Sequence, residues 1–110
     1  MDDRARRIGL NEAVFRDVNE RIDELAQTFR LQDQPLELVC ECGNASCTQQ
    51  IRVSRSEYEA LRSDPALFAI YPGHEAPDVE GVVDKREGYD VVRKRPGEPA
   101  RLAEQTDPRG

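Results

Sequence analysis

The chain has no tryptophan, three phenylalanines, three tyrosines, one methionine and one histidine in 110 residues. A domain of this length buries only about two thirds of its unfolded surface, so a core this poor in aromatics is modest and a supplementary staple is expected. No apolar run approaches the ~20 residues of a membrane span, and the N-terminal MDDRARR lacks the apolar stretch of a signal peptide. A cytoplasmic protein is the expectation. Even-numbered cysteine sets suit disulfide frameworks; three cysteines in a reducing compartment suit a metal site better. No Gly-rich phosphate loop, G-x-S-x-G or H-E-x-x-H motif occurs, so the familiar enzyme signatures are missing and a non-enzymatic role is expected.

Charge is plentiful but of the wrong sign for polyanions. With 22 acids against 16 bases the net charge is -6, and residues 31 to 94 hold most of the excess. An acidic middle repels phosphate, which disfavours nucleic acid and anionic membranes as partners. Two short basic clusters, Arg4/Arg6/Arg7 and Arg93/Lys94/Arg95, lack interleaved aromatics and read as solvated ends.

The pattern along the chain predicts an α+β fold, with an N-terminal amphipathic helix packed on a small antiparallel zinc-ribbon-like β domain that carries one short helix. Residues 1–9 read as a disordered N-terminus, 10–31 as the helix, 35–94 as the metal-binding domain and 95–110 as a disordered tail. Asn11 has the residue type of an N-cap, and Leu10 with Phe15 has the spacing of a hydrophobic staple. Gln32 to Pro35 should end the helix. Phe15, Val18, Ile22, Leu25 and Phe29 recur at alternating intervals of three and four, a stripe on one helical face. The stripe has two readings: it docks on the protein's own sheet, or it binds a protein partner or a second copy. At two and a half heptads it is short for an independent coiled coil.

Leu36, Leu38, Cys40 and Cys42 share one strand parity, with Glu37 and Glu41 on the other, and Gln50–Val53 can return as a second strand with the cysteines at the hairpin tip. Ser54 with Glu57 forms a capping box and Val53 with Tyr58 a staple, which predicts a short helix over 55–63. Pro72-Gly73 turns the chain before His74, and residues 79–83 and 89–92 suggest a further hairpin.

Cys40, Cys42 and Cys47 form C-x-C-x4-C, and His74 is available as a fourth donor. Three thiolates and an imidazole suit Zn2+ in a closed, structural tetrahedron. The same donors also suit a [2Fe-2S] cluster, which would make a redox or sensor protein. If His74 were not a ligand, water could complete the sphere and a hydrolytic enzyme would result. Strand residues at i and i+2 stand about 6.6 Å apart, too far for one tetrahedron, so the backbone must turn near Cys42, and Gly43 could supply a positive φ.

The segments LVCECGNASC, SEYEALRSDPALFAIYPGHE and GYDVVRK, together with NEAVFRDVNERIDEL, resemble a group of small zinc-ribbon-like proteins of high-GC bacteria with a CxCGxxxC…PGH pattern. The resemblance covers most of residues 11 to 94. It implies that the three cysteines and the Pro72-Gly73-His74 turn belong to one feature, and it brings no activity with it.

Overall fold

Asp2 sets the start of the first helix. In the computed structural model, which describes residues 1–31 and 33–110, its carboxylate accepts the Ala5 amide at 2.7 Å, and the helix α1 runs Asp3–Thr28. The chain before Asn11 is therefore helical, not disordered, and Asn11 is not a cap. The reason is tertiary: Ala5 and Ile8 pack with Val79, Arg4 pairs with Asp78, and Leu102 comes so close to Gly9 that a Cβ there would collide with it. At the other end α1 closes before the expected stop. Arg30 takes a left-handed φ of 58°, its amide reaches the Gln27 carbonyl, and the Leu31 amide reaches Ala26, the bond pattern of a Schellman cap. Of the residues expected to stop the helix, Gln32 lies outside those described.

The remaining elements are β1 (Leu36–Val39), β2 (Gln50–Val53), α2 (Arg55–Arg62), β3 (Leu67–Ile70), β4 (Glu80–Arg86), β5 (Tyr89–Lys94) and α3 (Glu98–Gln105). The fold is α+β. β1 and β2 form an antiparallel hairpin with Leu36 opposite Val53 and Val39 opposite Gln50. β3, β5 and β4 form a second antiparallel sheet in that order, and Glu87-Gly88 closes its hairpin with Gly88 at φ 88°. Ser54 caps α2 by accepting the Glu57 amide, as the spacing predicted. Glu57 does not complete the reciprocal half of the box with its carboxylate, which instead accepts the Tyr89 hydroxyl.

The segment from Pro96 is a further correction. Gly97 turns the chain at φ 99°, Pro99 falls in the first turn, and α3 buries Leu102 and Ala103. Two apolar side chains gave little sign of a helix, but Ala103 packs in a cluster with Phe68, Ile70 and Val92, and Leu102 lies against Gly9 of α1.

The largest departure is the face that α1 buries. Its inner side is Glu12, Arg16, Asn19 and Asp23, each at most 1% exposed, while Val18, Leu25 and Phe29 point outward and Phe15 and Ile22 are half-buried. The apolar stripe is thus not what chiefly docks the helix: Ile22 packs against the core that holds Leu36 and Leu38, while Val18, Leu25 and Phe29 leave the own-sheet reading unmet. The polar residues carry the docking because each finds remote partners. Arg16 donates to the carbonyls of Pro65 and Ala103 and to the Thr106 hydroxyl, and its guanidinium lies 4.7 Å over the Phe68 ring. Asn19 mimics a strand: its Nδ2 donates to the Val39 carbonyl and its Oδ1 accepts the Val39 amide, at 2.9 and 2.8 Å. Lys94 Nζ bridges Glu12 at 2.6 Å and Glu80 at 3.1 Å. One ammonium cannot neutralise two buried carboxylates; burial and then Glu80 push the Glu12 carboxyl up to about 9, so it keeps a proton at neutral pH.

Candidate metal centre

The strand β1 ends at Val39, so neither Cys40 nor Cys42 lies in regular strand, and the geometric obstacle of a 6.6 Å separation disappears. The Cys40 amide still bonds the Gln49 carbonyl, holding the base of the loop closed. Within the loop, Asn44 Oδ1 accepts the Ser46 amide and the Asn44 carbonyl accepts that of Cys47, a tight turn that brings the third sulfur back towards the first two. Gly43 is needed for a different reason than a positive φ, which it does not have. Ile8 of α1 rests against it, and a Cβ would lie 2.4 Å from Ile8 Cγ2. Asn11 adds a bond from its Nδ2 to the Gly43 carbonyl at 2.9 Å, so α1 clamps the cysteine loop by packing and hydrogen bonding together.

His74 arrives from β3. Tyr71, Pro72, Gly73 and His74 form a turn closed by the His74 amide on the Tyr71 carbonyl, with Pro second and Gly73 at φ 87° third, the sequence and geometry of type II. The turn places the His74 ring 5.2 Å from the Tyr71 ring, tilted by 53°.

The result is convergence. The donor atoms of Cys40, Cys42, Cys47 and His74 all lie within 4.8 Å of one another. His74 Nδ1 is 3.7 Å from Cys40 Sγ and 3.6 Å from Cys47 Sγ. A tetrahedral ion with bonds of about 2.3 Å to sulfur and about 2.0 Å to nitrogen requires S···N edges of roughly 3.6 Å. The four residues could therefore hold a metal ion. Cys40 and Cys42 are buried, Cys47 is half-buried, and His74 closes the group on the solvent side. Cys40 Sγ also accepts the Tyr71 amide at 3.0 Å, a bond that suits a sulfur bearing negative charge. The nearness of Cys40 pulls the Cys42 thiol down to about 5, and the nearness of Cys42, with burial, pushes that of Cys40 up.

Glu41, between Cys40 and Cys42, is the residue that the alternation misassigned. It is fully buried. Its amide donates to the Ala69 carbonyl and its Oε1 accepts the Ala69 amide, both at 2.9 Å, which ties the β1–β2 hairpin to β3. Arg62 grips the carboxylate with two bonds of 2.7 and 3.1 Å, and Asn19 adds a third partner at 2.8 Å. This knot fixes the strand segment that carries Cys40 and Cys42 relative to the one that leads to His74. Nothing in the local spacing marked Glu41, Arg62 or Asn19, since the bonds that join them to one another and to Val39 and Ala69 span at least twenty residues. Glu75, next to His74, is not drawn into the ligand group; its Oε1 is shielded from solvent without a hydrogen-bond partner.

The proposed partner-binding residues are not gathered at this centre. Phe15, Val18, Ile22, Leu25 and Phe29 run along α1, with Leu25 and Phe29 at the end remote from Gly43. No helix among the described residues is long and apolar enough to cross a membrane. Compared with known proteins, the chain matches no family model, no curated protein and no solved structure.

Proposed function

We propose that this chain is a small zinc-binding protein in which a Cys3His site is structural, and that it acts as a protein-interaction or regulatory module, not as an enzyme. The observation that carries the reading is the spacing of the four donors: S···N distances of 3.6 and 3.7 Å fit the edges of a single tetrahedral ion. With all four positions taken by protein, no place is left for the water that a catalytic zinc needs. Bound there, the ion would supply folding free energy by crosslinking the cysteine loop to the turn after β3. A [2Fe-2S] cluster is the second reading. Its terminal ligands on opposite irons stand farther apart than ligands of one ion, and donors all within 4.8 Å favour the mononuclear site.

Metal analysis by mass spectrometry on untagged, anaerobically purified protein, with an absorption spectrum of the same sample, tests this. One zinc per chain and no visible absorbance is expected. Iron with sulfide and a visible band would replace the reading with a redox or sensor role, and no metal would overturn both.

A further inference from the structure

The solvent side of α1 carries an apolar stripe among charged residues. Leu10 is 40% exposed, Val14 60%, Val18 39%, Leu25 58% and Phe29 68%, and with Ile22 they run about 28 Å along the helix at 1.5 Å per residue. Single exposed apolar residues are ordinary, but a continuous stripe on a helix whose other face is held by buried polar bonds marks an interaction surface.

The arrangement of the stripe says what fits it. Its members are spaced nearly symmetrically about a centre between Val18 and Ile22. Laid antiparallel on a second copy of itself, the helix sets Leu10 against Phe29, Val14 against Leu25 and Val18 against Ile22, and each pairing occurs twice. Charge follows the same symmetry. Asp17 and Arg21 border the stripe on its solvent side; both are exposed, and among the described residues no ion pair engages either of them. In the antiparallel pairing Asp17 of each copy meets Arg21 of the other, so both are matched by one two-fold axis. A parallel pairing would instead stack the Arg4, Arg6 and Arg7 ends together. A cleft of about 300 Å³ between Leu25, Phe29, Leu31 and Pro35 adjoins the Phe29 end of the stripe.

We propose that the exposed stripe of α1 is a homodimer interface, in which two copies pair antiparallel through Val14, Val18, Ile22, Leu25 and Phe29 with reciprocal Asp17–Arg21 ion pairs. The inference deepens the interaction part of the function proposed above and does not depend on which metal is bound.

Sedimentation equilibrium of the full, metal-loaded chain tests it, with metal content and circular dichroism measured on the same samples. The wild type is expected at twice the chain mass at micromolar concentration. Val18→Asp should be monomeric with unchanged metal content and spectrum, because the side chain is exposed in the monomer. Asp17→Arg should weaken association roughly tenfold, since it turns two attractive pairs repulsive, and adding Arg21→Asp should restore it. A wild type that is monomeric at every concentration overturns the proposal while leaving the metal reading standing. So does a dimer that tolerates Val18→Asp, or one that the double reversal does not rescue.

Discussion

Replacing Cys42 with Ala is expected to remove stoichiometric metal and to abolish the cooperative thermal transition of the protein. A structural zinc contributes on the order of 10 kcal/mol or more of apparent folding free energy, comparable to the whole stability of a domain this size. The chain has little else to replace it. Cys40 and Cys42 sit in the same core cluster as Phe68, Ile70, Val92 and Ala103, so loss of the ion loosens the face of β3 and β5 on which α3 packs. Chelation of the wild type should reproduce the effect, which separates loss of the metal from loss of one sulfur's packing. Circular dichroism melts read both experiments. A cooperative melt at the wild-type temperature in Cys42→Ala would show that the metal does not hold the fold.

The second large effect belongs to a residue that touches no ligand atom. Arg62→Met should destabilise the protein by about 3 to 5 kcal/mol, because it leaves the Glu41 carboxylate charged and buried with only neutral donors. Glu41→Gln alone should be costly for the converse reason, as it strands a guanidinium that is 3% exposed as a residue. The double variant is expected to lose clearly less than the two single losses added together, since neither charge then lacks its partner. Urea midpoints at constant slope measure all three. Metal affinity should fall with Glu41→Gln, because Glu41 sets the position of Cys40 and Cys42 against the His74 turn. Strict additivity would mean that the pair does not act as a unit.

What could be read from the sequence divides by distance along the chain. The Ser54 cap, the Pro72-Gly73 turn and the strand pair around the cysteines depend on residues within a few positions of one another, and the structure has them where the spacing placed them. The cluster of three cysteines and one histidine was legible because cysteine and histidine are so scarce here that few other sets were possible. The inner face of α1 was not, because Glu12, Arg16, Asn19 and Asp23 repeat at the same intervals as the apolar stripe, and only partners such as Lys94, Pro65 and Val39 make them buryable. Hydrophobic periodicity identified the helix and left open which side it buries. α3 and the first turns of α1 were missed for a related reason: each is held by contacts made across the fold, among them Leu102 on Gly9 and Ile8 on Gly43. Glu41 broke the strand alternation because its carboxylate replaces a backbone acceptor, a role that parity does not anticipate.

The central claim is a closed, mononuclear Cys3His zinc site, and X-ray absorption at the zinc edge of the purified protein tests it most directly. The geometry predicts a four-coordinate ion with three sulfurs at about 2.3 Å and one nitrogen at about 2.0 Å, the nitrogen shell disappearing in His74→Ala. An oxygen in place of the nitrogen in the wild type, or a His74→Ala spectrum identical to it, would contradict the claim and return the site to an open, water-bearing metal.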